Sequence, residues 1–244
     1  MKRSGVSKTI IISLAIIVAA GILGFFYRDT KKPLQTISVI GLAEKDFEAD
    51  LIVWNSDYSS KSQNLKDAYT ELQKQTQIVK EYLAEKGISD TEIVFRAINN
   101  EEDYDSYYDN GKRIRKFNGY ILSQSVKVTS TDVNKIEKIA NDITELIYQG
   151  INFNSYPPQY YYTKLADLKI AMLADATKDA KLRAETIAQN AGSKLKGLKS
   201  SNMGTFQITA PNSSEDQYSW GGAFNTSSKF KRAAITLRVV YKTF

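Results

Sequence analysis

Two residue types are missing altogether: the 244-residue chain has neither cysteine nor histidine. Without thiols there is no disulfide, no thiolate nucleophile and no Cys/His zinc site. Without imidazole there is no histidine general base and no switch near neutral pH. Catalysis would fall to carboxylates, hydroxyls, lysine or a borrowed cofactor. The lack of cysteine does not fix a compartment, because oxidising locations permit disulfides without requiring them. A basic body is missing too. The net charge is +6, but residues 1–33 hold six Lys or Arg against one Asp, a net +5, so the remainder is nearly balanced. Counterion release needs a clustered basic surface, and no nucleic-acid partner is expected.

What the N-terminus does contain is a run of 19 residues without a charge, TIIISLAIIVAAGILGFFY from Thr9 to Tyr27. As a helix it reaches about 28 Å, enough to cross a bilayer. Aromatic Phe25, Phe26 and Tyr27 sit at one end and basic residues flank both, as at membrane interfaces. An uncleaved signal anchor is the leading reading. A cleaved signal peptide, cut near Val18-Ala19-Ala20, and a buried soluble helix are the alternatives. Lys/Arg counts on the two sides are equal, and Asp29 with the free amino terminus tips the orientation toward N-terminus inside. The expectation is a single-pass protein of the inner (cytoplasmic) membrane, its body facing the periplasm or cell exterior. Residues 1–33 form the anchor and linker, with 34–244 as the exported domain (sub-lobes roughly 34–130 and 131–244).

In the body, Gln35 to Leu42 and Phe47 to Tyr58 read as paired strands, the second with Phe47, Ala49, Leu51 and Val53 on one face. Ser60 to Gln63 has capping-box spacing and opens a helix with Leu65, Tyr69, Leu72, Thr76, Val79 and Leu83 inward. Glu92 to Asn99 and Phe117 to Thr129 are strands with a long hairpin connection between them. A helix capped by Thr131 runs to Gly150, and residues 151–163 make an edge strand kinked at Pro157-Pro158. A helix from Thr163 to Ala191 and strands at Lys196 to Ile208 and Ile235 to Lys242 complete the order ββαββαβαββ. All three body helices stop at a glycine, which suits a left-handed cap. This order argues for an α+β fold: antiparallel sheets with amphipathic helices packed on one face, two sub-lobes, and an N-terminal transmembrane helix ahead of them. The final strands are free to return to the sheet of the first.

The third helix places alanine at 176, 180, 184 and 188 among charges of both signs. Its polar residues exclude a membrane seam. Methyl side chains let a helix axis approach its neighbour closely, so Leu168, Met172, Ala176, Ala180, Ala184, Ile187 and Ala188 are expected to form a packing stripe. Asp175 and Asp179 share a face of that helix, but Asp179 also precedes Arg183 by four residues, the spacing of an ordinary surface ion pair.

The matching segments ISVIG (37–41), LAEKGISDTEIV (83–94), Gly119-Tyr120 with Val126 and Val128, Gly150 to Phe153, and above all the alanine helix from Ala171 to Leu195 give the body its family likeness. It resembles the SIMPL domain family of bacterial exported proteins, which includes an oxidative-stress defence protein and periplasmic immunogenic antigens. The resemblance implies an α+β fold that tends to assemble, with no established enzymatic activity and a place in envelope or oxidative-stress physiology. The chain departs from the family in carrying Lys229 to Arg232 where a Pro-Gly is common.

Among candidate sites, Asp103, Asp105 and Asp109 lie in EEDYDSYYDNG (101–111). Their spacing does not fit an EF-hand loop, and pairing with Lys112, Arg113, Arg115 and Lys116 across a hairpin turned at Asn110-Gly111 is the simpler reading. No metal, cofactor or catalytic residue is assigned. Tyr107, Tyr108, Tyr160, Tyr161, Tyr162 and Trp220 are candidates for an interface. Residues 210–228 read as a loop, with glycosylation-type triplets at Asn212 and Asn225 that arise often by chance. The expected function is a membrane-anchored, non-catalytic domain acting through homo-oligomer formation or an envelope protein partner. A carboxylate-based or metal-assisted hydrolase, a cleaved soluble periplasmic binding protein and a soluble cytoplasmic binding protein are the alternatives.

Overall fold

The computed structural model describes residues 13–25, 35–109, 111–211 and 223–244. Helix α1 (13–25) is followed by β1 (Thr36–Glu48), β2 (Leu51–Ser62), α2 (Leu65–Glu85), β3 (Ile93–Phe95), β4 (Asn99–Asp109) and β5 (Lys112–Ser130). Then come α3 (Val133–Asp142), β6 (Asn152–Ser155), β7 (Gln159–Tyr161), α4 (Leu165–Asn190), β8 (Leu195–Thr209) and β9 (Phe230–Thr243). The class is α+β with antiparallel sheets. One sheet is ordered β3-β5-β2-β6, with β4 also on β5 and β7 also on β2; the other is ordered β1-β9-β8, so the last strand does return beside the first.

Two compact units are interleaved along the chain: Leu42–Ala176 with Gly204–Thr236, and the described parts of Met1–Gly41, Thr177–Met203 and Leu237–Phe244. In the larger unit, α2 and α3 cover one face of the β3-β5-β2-β6 sheet. That face presents Ile52, Trp54 and Tyr58 from β2 and Leu122, Val126 and Val128 from β5, all buried. Tyr58 stacks on Phe153 at 6.1 Å, and its hydroxyl donates to Gln124 Oε1 at 2.8 Å. Trp54 Nε1 donates to Ser155 Oγ, which in turn donates to the Ala140 carbonyl. These polar contacts tie β2 to β5, β6 and α3 without leaving the ring donors unpaired.

In the smaller unit the described buried residues are Val39 and Gly41, the alanines at 180, 184 and 188 of α4, and Leu237, Val239 and Tyr241 of β9. They are the apolar surface available there to bury one another. The chain end closes that unit, with Phe244 N donating to the Lys194 carbonyl and Thr243 N to that of Gln35.

Several expectations are corrected. β1 and β2 do not pair: β1 lies beside β9, while β2 pairs with β5, β6 and β7. The junction Ala49-Asp50 bonds elsewhere, Ala49 N to Lys229 O and Asp50 N to Tyr161 O. That break also resets the alternation, so Ile52, Trp54 and Tyr58 face the core and Leu51 and Val53 the other side. Burying the two largest rings outweighs burying two smaller aliphatics. β2 runs on to Ser62, so α2 is capped by Asn64 rather than by the Ser60 box, and Leu65 and Tyr69 remain exposed. Asp132, not Thr131, caps α3, which tightens into a 3-10 turn over Ile143–Gln149 before Gly150. The stretch read as a hairpin connection is strand: β4 pairs along β5 from Asn99↔Ser123 to Asp109↔Lys112. The segment around Pro157-Pro158 is two short strands rather than one.

The glycine stops are all positive-φ residues: Gly87, Gly150 and Gly192. Each carries the same pair of closing bonds, as in Gly87 N to Ala84 O and Ile88 N to Leu83 O, which satisfies carbonyls the helix end leaves open.

Candidate functional site

Along α4, Ala176, Ala180 and Ala184 are 0% exposed, and Leu168, Met172 and Ala188 are also buried. Ile187 is not part of this stripe: it is 48% exposed. The buried positions advance strictly by four, and Ile187 lies one residue before the last of them, about 100° round the helix. It instead lines a shallow apolar cleft of about 620 Å³ in the smaller unit with Leu182, Arg183, Thr186 and the Ser38 to Ile40 stretch of β1. Ile40, Leu182 and Ile187 are all large and exposed there. Asp179 accepts from Arg183 Nε at 2.9 Å, so it serves a surface ion pair.

The acidic hairpin does not gather Asp103, Asp105 and Asp109 into one site. Asp103 Oδ2 accepts from Lys61 Nζ at 2.6 Å and from Asn118 Nδ2 at 3.0 Å; the same Asn118 amide donates to Asp105 Oδ1. The Lys61 bond holds the Asp103 carboxyl below its usual range. Asp105 sits across from Lys116 and Asp109 across from Lys112, while Arg115 lies over the Tyr104 ring at 4.4 Å. Among the described residues no group of three His, Cys, Asp or Glu is placed to hold a metal ion.

The tyrosines divide. Tyr107 and Tyr108 are exposed near the hairpin tip. Tyr161 is half-buried, and Tyr162 is half-buried against Phe47, with ring centroids 4.7 Å apart. Tyr160 is withdrawn from the interface candidates: it is 7% exposed, its hydroxyl donates to Glu137 Oε1 at 2.9 Å, and burial together with that carboxylate pushes its phenol up to about 12. Trp220, Asn110 and the Asn212 triplet lie outside the described residues, as do Thr9 to Ile12, Phe26 and Tyr27 of the expected span. Asn225 is described, and its side chain is engaged by Ser227 and by the Ser228 amide.

Helix α1 is the described part of that span. Every one of its residues is exposed, Leu23 and Phe25 at 70% and 72%. Among the described residues no helix is long and apolar enough by itself to cross a membrane.

Two features escaped sequence reading. Lys231 lies on the inward face of β9 at 1% exposure, where burial lowers its amine to about 8 and its Nζ donates to the Asn225 carbonyl. Strict alternation with Ala233, Ile235 and Leu237 was the signal that could have placed it. The exposure of β8 is the second: the strand expected at Lys196 to Ile208 is exposed without a break over 196–205, and among the described residues it pairs in its sheet with β9 alone. A strand exposed on both faces shows no burial period to read.

The family model for SIMPL, described as a protein of unknown function (DUF541), matches residues 37–240. No curated protein matches the chain.

Proposed function

The chain belongs to the SIMPL family, and from that premise we propose that it is a membrane-anchored, exported domain without catalytic activity that works by associating with copies of itself. The observation that carries the anchoring is α1, a helix whose apolar side chains are exposed on every side. A helix apolar all round is stable when lipid or protein covers it, and water does neither. The uncharged run from Thr9 to Tyr27, of which α1 is the described part, has the number of residues a bilayer span needs. Association is supported by the exposed Ile40, Leu182 and Ile187 at the apolar cleft, by the open edge of β8, and by Tyr107 and Tyr108 on the hairpin. A role in envelope or oxidative-stress physiology rests on the family likeness.

Cell fractionation tests the anchor. The full chain is expected to stay with membranes through an alkaline carbonate wash and to leave only with detergent, and removal of residues 1–33 is expected to release it. A full chain found in the soluble fraction overturns the proposal.

A further inference from the structure

The β3-β5-β2-β6 sheet has a second face, turned away from α2 and α3. In β2 the buried side chains are at even positions, so Leu51, Val53 and Asn55 project to this other side. They floor a shallow cleft of about 440 Å³, within the range of small-molecule sites. Register fixes its walls: Val53 lies between Gln159 and Thr129, Leu51 faces Tyr161, and Asn55 faces Lys127. Lys127 in turn faces Val94, and Arg96 lies two residues further along, its N–H bonded to Ser125 O at 2.9 Å. Arg96 and Lys127 are therefore diagonal neighbours on one face, within about 8 Å of each other.

They are the cleft's only charged residues, and both are cations. Among the described residues neither forms an ion pair. An acid on this face, Asp57, stands across from Ser125, accepts from Asn154 Nδ2 at 3.1 Å and receives the Tyr156 hydroxyl. Like charges side by side cost stability, and Asp57, the acid diagonal to Lys127, is already engaged by Asn154 and Tyr156 and forms no ion pair with either cation among the described residues. The other lining groups are two amides, a hydroxyl, two aliphatics and a phenol ring, which together can hold a ligand with a polar end and an apolar body.

We propose that this cleft binds a small organic anion, its acidic group at Arg96 and Lys127 and its apolar body on Leu51, Val53 and the Tyr161 ring. Asn55, Gln159 and Thr129 take the remaining polar atoms. The acidic group is a carboxylate or a phosphate, and the site stands whether or not the chain self-associates.

Equilibrium binding to the full chain in detergent tests this with phenyl phosphate, benzoate and uncharged benzyl alcohol as probes. At least one anion is expected to bind saturably, more weakly as salt is raised, and their ratio tells phosphate from carboxylate. Benzyl alcohol is expected to bind about ten-fold more weakly than the better anion, the size of one charge-assisted hydrogen bond. Arg96→Gln and Lys127→Gln are each expected to weaken that anion about five-fold or more, with an unchanged urea midpoint showing that the fold is intact. Arg238→Gln, which removes an exposed cation on β9, is expected to change nothing. Equal binding of benzyl alcohol, unchanged affinity in both cleft variants, or no saturable anion binding overturns the proposal.

Discussion

Gly119 and Lys231 are residues on which the fold places narrow demands. Gly119 follows the bulge at Asn118, where the β4–β5 register shifts between Asp103 and Tyr104. Its φ is +111°, and a Cβ built there would stand 2.6 Å from the Ser62 carbonyl oxygen. Backbone against backbone cannot yield as a side chain can, so Gly119→Ala is expected to cost about 2–4 kcal/mol, read as a lower urea midpoint. Lys231 makes a pH prediction. Its folded amine titrates near 8 against 10.5 for the free group, so below pH 8 both states carry the proton and the folded one bears a buried charge. Between pH 8 and about 10 the unfolded chain binds more protons through this lysine, and stability therefore rises with pH. Above about pH 10 the sign reverses, because burial raises the phenols of Tyr58 and Tyr160 and the folded chain then holds the protons that the unfolded one loses. A urea midpoint that climbs from pH 8 toward 10 in the parent chain and stays flat in Lys231→Met is the expected result.

At the scale of elements, α4 carries the plainest relation between sequence and packing. Ala184 is fully buried and Leu182, two residues earlier, is 63% exposed. Ala184→Leu forces methylenes into a close contact and is expected to cost about 1–3 kcal/mol. Leu182→Ala is expected to change stability by less than about 0.5 kcal/mol. Equal urea midpoints for the two variants would contradict the close approach. This stripe, the glycine caps and the strand alternation of β9 were legible because each is a short-range pattern with one physical cause. The pairing partners of β1 and the parity of β2 were not, since both depend on where Ala49 and Asp50 send their N–H groups, at Lys229 and Tyr161. Long-range bonds of that kind leave no local period. β4 escaped notice for another reason: apart from half-buried Asp103 and Tyr104 its residues are exposed on both sides, which reads as a loop until cross-strand cations are seen opposite them. The cleft of Arg96 and Lys127 was equally hidden, being assembled from β2, β5, β7 and the residue just past β3.

For the molecule as a whole, the chain divides into two units that alternate in sequence, so a single cut near residue 130 separates neither. What both units share is a supply of uncovered surface: an apolar cleft and α1 in the smaller, an exposed hairpin in the larger. The chain has neither cysteine nor histidine, and its described carboxylates do not gather into a metal site. If contact between copies is its work, removing exposed apolar groups should reduce association and leave the fold alone. Ile40→Ser with Ile187→Ser is expected to lower the mass of the assembly while the unfolding free energy of the dissociated chain, from urea titration, stays within about 1 kcal/mol of the parent. The most direct measurement is the mass of the full chain in detergent by light scattering, with the bound detergent subtracted. Several 27.4 kDa chains per particle is the expected result, and a single chain at every concentration would contradict self-association.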